Sequence, residues 1–326
     1  MKLIVSPGLA RSGTTYVFHE LMRRAGSHFN QPITKEINYF ANPNGAVEFS
    51  SLFKSNNPDK YYIDFSPAYS SLGNSVIDRI LSFECSIKKI ILFLRSPVDQ
   101  IFSYYLHDII AHIAKGERGE RMSLPLFSDA AFFRYFFLRK DQIKRLVDTV
   151  GMENILVINF HSDIQDPNKL SSKLSDFLNI KIHHFDRNHN TKGGWLPYFV
   201  YGGDDGTIVP VGDEVFLLPK NSLLLANGQH SRLWKDVEPE RVAQLQADAA
   251  TWTHTVTSEQ YRAIYDAVRA DWEATLDLLN QEASAYPTTG HLSAARPEIP
   301  RKLLMDHGVR AIPLSEHLEF AFFPPG

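Results

Sequence analysis

The residues whose types and spacing could do chemistry begin with a glycine-spaced loop near the start of the chain. Gly8 and Gly13 occupy the glycine positions of the phosphate-binding pattern G-x-x-x-x-G-K-[ST], and Thr14 stands where that pattern has its lysine. The glycines let backbone N–H groups converge on an anion, and a helix beginning at Thr14 adds its positive dipole end. Nucleoside-triphosphate enzymes use the missing lysine on the β- and γ-phosphates. The loop is therefore predicted to hold a phosphate that has no γ-phosphate beyond it.

A second candidate site follows the apolar run 90–94. Arg95 is predicted to end a buried strand, on the side of a parallel sheet where ligands bind. Ser103 lies about two turns into the following helix, where it could face the same site. A guanidinium group and a hydroxyl group suit a second phosphate. The alternative is an arginine that caps a strand and a serine on a solvated helix face.

The elements that must position these residues alternate between β-rich runs and helical patterns, which predicts an α/β fold with a parallel sheet. The predicted strands cover residues 2–6, 61–65, 89–95 and 154–159. The predicted helices cover residues 14–24, 74–81, 98–114, 132–150 and 168–178. Residues 200–230 are predicted as loops with room for a hairpin, and residues 238–280 as helical.

Composition excludes several classes of protein. The net charge of −3 lacks the basic excess that a nucleic-acid or membrane-surface partner requires. The single cysteine, Cys85, excludes an internal disulfide framework and a cysteine-rich zinc site. The printed sequence shows no signal-peptide pattern before the first predicted strand and no apolar run of roughly 18 residues. We therefore expect a cytoplasmic protein without a membrane partner.

Together, the two candidate sites resemble the sulfotransferase family that uses 3′-phosphoadenosine 5′-phosphosulfate (PAPS). The resemblance continues in the family's order through residues 35–40, 66–69 and 190–194, which look like the Golgi-type branch that includes heparan sulfate and tyrosylprotein sulfotransferases. It covers roughly residues 1–195, and a bacterial member is expected. It implies a P-loop-type central parallel sheet flanked by helices, as a single sulfotransferase domain over 1–285. Acceptor-site elements are expected in 100–135 and 196–235, and residues 286–326 form a tail of unknown role.

The resemblance also implies the residues that bind the donor. Residues of the loop are expected to hold the 5′-phosphosulfate: Gly8, Arg11, Ser12, Gly13, Thr14 and Thr15. Arg95 and Ser103 are expected to hold the 3′-phosphate. A second loop is expected to close over that phosphate: Thr191, Lys192, Gly193 and Gly194. Many relatives carry lysine at the position of Arg11, and the tyrosylprotein branch carries arginine. The alternative for Arg11 is a surface arginine.

Glu36 is the candidate base, since the glutamate of the Lys-Glu segment deprotonates the acceptor in this branch. Its alternative is a solvated glutamate paired with Lys35, and Lys35 itself could neutralise the transferring sulfonate or be exposed. His107 is the backup base, because cytosolic-type relatives use a histidine. Relatives often have an acidic residue and then lysine before the 66–69 segment, whereas this chain has Asp64 and Phe65, so any contact carried by that lysine is in doubt.

The expected reaction is in-line transfer of a sulfonate group from PAPS to a hydroxyl or amine of a small-molecule or carbohydrate acceptor, with 3′,5′-ADP as product and no metal. The histidines lack the spacing of a zinc site. A P-loop kinase or NTPase is the first alternative, and it would need the loop lysine and a strand-end Asp for magnesium. A catalytically inactive nucleotide-binding scaffold is the second. The sequence leaves the acceptor and the oligomeric state open.

Overall fold

The computed structural model describes residues 1–42, 47–117, 140–186, 198–203, 207–211, 214–227, 230–253, 255–294 and 310–313. The chain divides into two compact units. The first unit comprises Met1–Tyr104, Asp129–Thr191 and Thr257–Gly290. The second unit comprises Tyr105–Ser128, Lys192–Val256 and His291–Gly326. The predicted single domain over residues 1–285 stays a prediction.

The first unit contains a five-stranded parallel sheet in the order β2-β3-β1-β4-β5. Its strands are β1 Lys2–Gly8, β2 Phe29–Asn30, β3 Tyr61–Phe65, β4 Ile87–Leu94 and β5 Ile155–Asn159. The sequence predicted four of these strands and missed the two-residue β2, which is too short to show a period. The expectation of an α/β fold with a central parallel sheet is confirmed.

Helices follow the strands as predicted. Those described are α1 Thr14–Ala25, α2 Asn74–Ser82, α3 Pro97–Glu117, α4 Lys140–Val150, α5 Pro167–Leu178, α6 Pro239–Ala249 and α7 Ser258–Leu278. Of the predicted helix over 132–150, residues 132–139 lie outside the described residues. The predicted helical stretch over 238–280 is divided between α6 and α7. Thr257 and Gln260 form a capping box that begins α7, and this pair is visible in the sequence.

The core of the first unit lies on the α1 and α5 side of the sheet. Ile4, Phe93 and Ile158 face it from three neighbouring strands, and Val17 and Leu21 face it from α1. All five side chains are fully buried, and burial of a side chain of this size stabilises the fold by roughly 1.5–3 kcal/mol. This packing fixes the start of α1 beside the carboxyl ends of the strands.

The second unit is richer in β structure than the sequence predicted. Its strands are β6 Tyr198–Tyr201, β7 Thr207–Val211, β8 Glu214–Leu218, β9 Leu223–Asn227, β10 His230–Trp234, β11 Thr255–Val256, β12 Leu292–Ser293 and β13 Arg310–Pro313. The prediction of loops over 200–230 is therefore wrong for most of this range, whereas the hairpin that it allowed for is present in the antiparallel pair β7 and β8. The strands are antiparallel and at most five residues long, and the turn-forming Gly and Pro residues between them mask their short periods.

The expected tail over 286–326 contains β12 and β13, which pair with β11 and β8 within the second unit. Short pairings of this kind have no signal in a local sequence window. No helix in the described part of the chain is long and apolar enough to cross a membrane.

Candidate active site

The loop between β1 and α1 has the backbone that its glycines predict. Gly8 and Gly13 have φ angles of 143° and 96°, which favour glycine. A Cβ at Gly8 would lie 2.6 Å from Ser70 Oγ, and one at Gly13 would lie 2.8 Å from Ile164 Cδ1. Helix α1 begins at Thr14 with no side-chain cap and no acidic residue in its first turn. Its first N–H groups are therefore available to an anion.

Three bonds hold this loop to β4 and α3. The backbone N–H of Leu9 donates to the carbonyl oxygen of Phe93 at 3.0 Å. The Gln100 side chain donates to the Ala10 carbonyl at 3.1 Å. The Arg95 guanidinium donates from Nη1 to the Arg11 carbonyl at 3.0 Å. These bonds tie the curved loop to the carboxyl end of β4, to the turn after it and to the first turns of α3.

Arg11 joins the two predicted phosphate sites. Its own φ is 64°, an uncommon value for a residue with a side chain. Its Nε–H donates to Ser103 Oγ at 3.4 Å, while its carbonyl accepts the bond from Arg95. Ser103 is 8 % exposed, which excludes the alternative of a solvated helix face. Arg11, Arg95 and Ser103 form one connected group, the arginine cluster.

The arginine cluster carries partly buried positive charge. In the described part of the chain, neither Arg11 nor Arg95 takes part in an ion pair. Burial lowers the pKa of Arg11. Burial, and then the charge of Arg11, lower the pKa of Arg95 to about 10, and Asp99 opposes this shift. Two arginines held this way create a strong local preference for an anion.

Among the described residues, Ser12 Oγ and Arg95 Nε are buried donor atoms at this loop without a hydrogen-bond partner, and Gln100 Oε1 is a buried acceptor without one. Buried polar atoms are normally paired, so each such atom requires an explanation. A phosphate oxygen accepts from both kinds of donor, and the bare N-terminus of α1 is the third element of such a site. These residues fit a phosphorylated nucleotide.

The two residues that follow β5 contact Arg95 and the turn that it begins. The Arg95 guanidinium lies 4.3 Å from the ring centre of Phe160, and the Ser96 N–H donates to His161 Nε2 at 3.2 Å. Burial, and then the charge of Arg95, lower the pKa of His161 to about 4, which keeps the acceptor nitrogen unprotonated at neutral pH. The sequence analysis missed His161, which is far from Arg95 in the chain.

Helix α7 also contributes to this turn. The Tyr261 hydroxyl donates to Asp99 Oδ1 at 3.2 Å and lies 3.2 Å from Ser96 Oγ. For Tyr261 the sequence periodicity predicted only that it lies in a helical stretch over 238–280. A buried tyrosine hydroxyl needs a hydrogen-bond partner, so the residue type was the one signal in the sequence that Tyr261 contacts a polar group.

Lys35 and Glu36 form an ion pair in the segment before the 3-10 helix Tyr39–Ala41. The Glu36 side chain is 44 % exposed and that of Lys35 is 15 % exposed. The structure thus has the Lys35–Glu36 ion pair that the alternative to a catalytic base described. The exposed Glu36 carboxylate is also accessible to an incoming acceptor molecule. The role of Glu36 as base stays a prediction.

Asp64, at the end of β3, is fully buried. One of its carboxylate oxygens accepts from the Ser66 hydroxyl and the other from the Tyr69 hydroxyl, both at 2.5 Å. Asp64, Ser66 and Tyr69 are named the Asp64 cluster. Burial raises the pKa of Asp64 to about 6, with a smaller contribution from the charge of Glu36, while Ser66, Tyr69 and Lys35 oppose the shift.

The remaining predicted site residues lie outside the arginine cluster or outside the described residues. Thr14 is buried and Thr15 is exposed. His107 is exposed on the part of α3 that belongs to the second unit. The second donor loop lies outside the described residues: Thr191, Lys192, Gly193 and Gly194. The expected acceptor elements over 100–135 and 196–235 are described only in part. No group of three or more His, Cys, Asp or Glu residues suited to a metal occurs within the described ranges.

No protein-family model matches the chain, and no curated protein matches it. Solved structures to which it is similar include a sulfotransferase from Alicyclobacillus acidocaldarius, with 17% identity, a TM-score of 0.48, and coverage of 87% of this chain and 98% of that one. The sulfotransferase domain of the Synechococcus PCC 7002 olefin synthase has 16% identity and a TM-score of 0.37, covering 56% of this chain and 74% of its own. Mouse sulfotransferase SULT7A1, complexed with PAP, has 19% identity and a TM-score of 0.36, and the match covers 56% of this chain and 58% of the mouse chain. These identities are too low to carry any residue role to this chain.

Proposed function

We propose that this chain transfers a sulfonate group from PAPS to a hydroxyl or amine of a small-molecule or carbohydrate acceptor. The observation that carries the proposal is the arginine cluster: two partly buried guanidinium groups that form no ion pair within the described part of the chain, joined to a glycine-spaced loop that lacks the lysine of its pattern. A donor with two separate phosphate groups and no γ-phosphate suits this distribution of charge.

Each residue has a defined task under this proposal. The loop N–H groups, Ser12, Thr14 and Arg11 bind the 5′ end and stabilise the negative charge that grows there. Arg95 and Ser103 bind the 3′-phosphate. PAPS supplies an activated sulfonate, whose transfer requires mainly in-line positioning and charge stabilisation. Glu36 accepts the proton of the acceptor, and Lys35 keeps the carboxylate oriented through their ion pair.

A kinase or NTPase is the competing function, and one observation argues against it. Asp64, at the end of the strand next to β1, stands where a magnesium-binding carboxylate would be expected. Both of its oxygens already accept hydroxyl groups, and the residue is fully buried. A carboxylate that is fully buried and bonded to a hydroxyl group on each oxygen does not fit the open position that binding a metal-bound water requires.

The test is calorimetric titration of the full chain with 3′,5′-ADP and with ATP, each with and without Mg²⁺. Tight binding of 3′,5′-ADP that is independent of Mg²⁺, and weaker binding of ATP, supports a PAPS site. The reverse preference would establish the kinase or NTPase alternative.

A screen for turnover separates an enzyme from an inactive scaffold. The chain is incubated with PAPS and glycans, phenols, steroids or amines, and release of 3′,5′-ADP is measured together with the mass gain of the acceptor. Binding of 3′,5′-ADP without turnover on any acceptor class would favour the scaffold.

A further inference from the structure

The Asp64 cluster reaches the segment that follows Glu36 through two parallel hydrogen-bonded relays. The Asn38 N–H donates to Ser66 Oγ at 3.0 Å, and Ser66 donates to Asp64. The Phe40 N–H donates to Tyr69 Oη at 3.1 Å, and Tyr69 donates to the other Asp64 oxygen. One buried carboxylate therefore fixes the backbone at two points just beyond Glu36.

The same cluster is packed against the phosphate loop. The 3-10 helix Pro67–Ser71 follows Ser66 and contains Tyr69. A Cβ at Gly8 would lie 2.6 Å from its Ser70 Oγ and 3.2 Å from the Pro67 carbonyl oxygen, so the two backbones are as close as glycine allows. Asp64 is also paired in register with Val5 of β1. The position of the Glu36 segment is thus set relative to the loop.

Only the ionised form of Asp64 satisfies both relays. A carboxylate accepts from two hydroxyl groups, whereas a protonated carboxyl group must itself donate one hydrogen. The Ser66 and Tyr69 hydrogens each point at one Asp64 oxygen, so a hydrogen added to Asp64 competes with one of them, and that hydroxyl group must turn away from Asp64. The ionisable groups that act on Asp64 are Tyr69, Glu36 and Lys35, and β1 places the uncharged Val5 beside it.

We propose that Asp64 is a positioning residue, which in its ionised form holds the Glu36 segment in register with the phosphate loop through Ser66 and Tyr69. This inference rests on the proposed function for its catalytic consequence. Asp64 does not touch the reacting groups. It determines where Glu36 stands relative to the donor, and the transfer rate follows its ionisation.

The first experiment needs no ligand. Protection of the Asn38 and Phe40 amides against hydrogen exchange is measured by NMR in the full chain between pH 5 and 8. In the wild type, protection at both amides should fall at least about tenfold as the pH drops through 6. Asp64→Asn should show low protection without a pH step. Ser66→Ala should lower protection at Asn38 alone, and Tyr69→Phe at Phe40 alone.

Asp59→Asn, at an exposed position just before β3, is the matched control and should behave as the wild type. Protection that is independent of pH in the wild type and unchanged in Asp64→Asn overturns the inference.

The second experiment measures turnover and 3′,5′-ADP binding. Asp64→Asn should lower kcat at least about tenfold, leave the Kd for 3′,5′-ADP within about twofold, and remove the acid limb of the pH profile near pH 6. An unchanged kcat and acid limb in Asp64→Asn overturns the positioning role, even where amide protection falls. A wild type that binds no 3′,5′-ADP refutes the proposed function, whereas the amide measurement still decides whether Asp64 holds the segment.

Discussion

The arginine cluster and the Asp64 cluster lie at the ends of strands that flank β1 on opposite sides, and each buries charge in a different way. Within the described chain Arg11 and Arg95 form no ion pair, although the charge of Asp99 acts on Arg95, and Ser12 Oγ and Arg95 Nε have no hydrogen-bond partner there. The Asp64 carboxylate forms no ion pair in the same residues, but each of its oxygens accepts from a hydroxyl group. The first cluster is therefore the one predicted to bind an added anion, whereas the hydrogen bonds of the second are formed within the chain.

This difference predicts that the arginine cluster binds the ligand and that the Asp64 cluster positions a neighbouring segment. A cluster that lacks its counter-charge gains the most from a ligand, so changes there should alter affinity. A cluster that is already satisfied and linked to a neighbouring segment should alter geometry and pH dependence instead. Glu36 lies between these cases, since it is paired with Lys35 and exposed.

The largest expected effect comes from Glu36→Gln. Loss of the base should lower the rate of transfer by about 10²- to 10⁴-fold, because a positioned proton acceptor contributes that much. The Kd for 3′,5′-ADP should stay within a few-fold, since Glu36 lies outside the arginine cluster. Glu84→Gln, at an exposed position, is the control. Normal turnover in Glu36→Gln, with activity lost in His107→Ala, would transfer the role to His107.

Arg95→Ala should weaken 3′,5′-ADP binding about 100-fold, or ~3 kcal/mol, because it removes charge-assisted hydrogen bonds to a phosphate. Isothermal titration calorimetry measures this change. Arg145→Ala, which removes an exposed arginine paired with Asp78, should leave the affinity unchanged. Equal affinities in Arg95→Ala and the wild type would show that the arginine cluster is not the phosphate site.

Asp64 should make stability depend on pH. Its folded-state pKa, raised to about 6 by burial, lies above its ordinary value of 3.8. The cost of burying the charge outweighs the two hydrogen bonds that the ionised form accepts, so for global unfolding the contribution of Asp64 to stability is fully present below pH 3.8 and is lost as the pH rises through 6, although the local relays need the ionised form. The unfolding free energy of the wild type minus that of Asp64→Asn should fall by about 2 kcal/mol between pH 4.5 and 7.5. Urea unfolding measures this, and a constant difference would contradict the raised pKa.

The smallest expected effect is that of Tyr261→Phe. Removal of the hydroxyl leaves Asp99 and Ser96 without one bond each and should cost about 1 kcal/mol in unfolding free energy. Because Arg95 directly precedes this turn, 3′,5′-ADP affinity should fall only a few-fold. Tyr265→Phe, on the same helix, is the matched control. A loss of affinity as large as that of Arg95→Ala would place Tyr261 within the arginine cluster itself.

Much of the first unit was predictable because its signals are local. The runs at 2–6 and 61–65 are apolar enough for buried strands, and α1 and α5 begin and end within a residue or two of their predicted bounds. The second unit was predicted poorly. Some of its strands pair with partners far along the chain, as β8 does with β13, and others pair across Gly- and Pro-containing turns. A short sequence window does not show which strand a long-range partner will be.

The sequence by itself determined the glycine-spaced loop and the strand-end arginine, and the resemblance to the PAPS-dependent family singled out Lys35 and Glu36. The loop and the arginine are specified by residue types within a few positions, through glycine conformation, a helix start or a strand end. Only the tertiary structure decided that Ser103 contacts Arg11, that His161 and Tyr261 support the turn after Arg95, and that Asp64 holds the chain beyond Glu36. These contacts join residues 28 to 165 positions apart, from Asn38 with Ser66 to Ser96 with Tyr261. They exist because a parallel sheet gathers the carboxyl ends of distant strands at one edge.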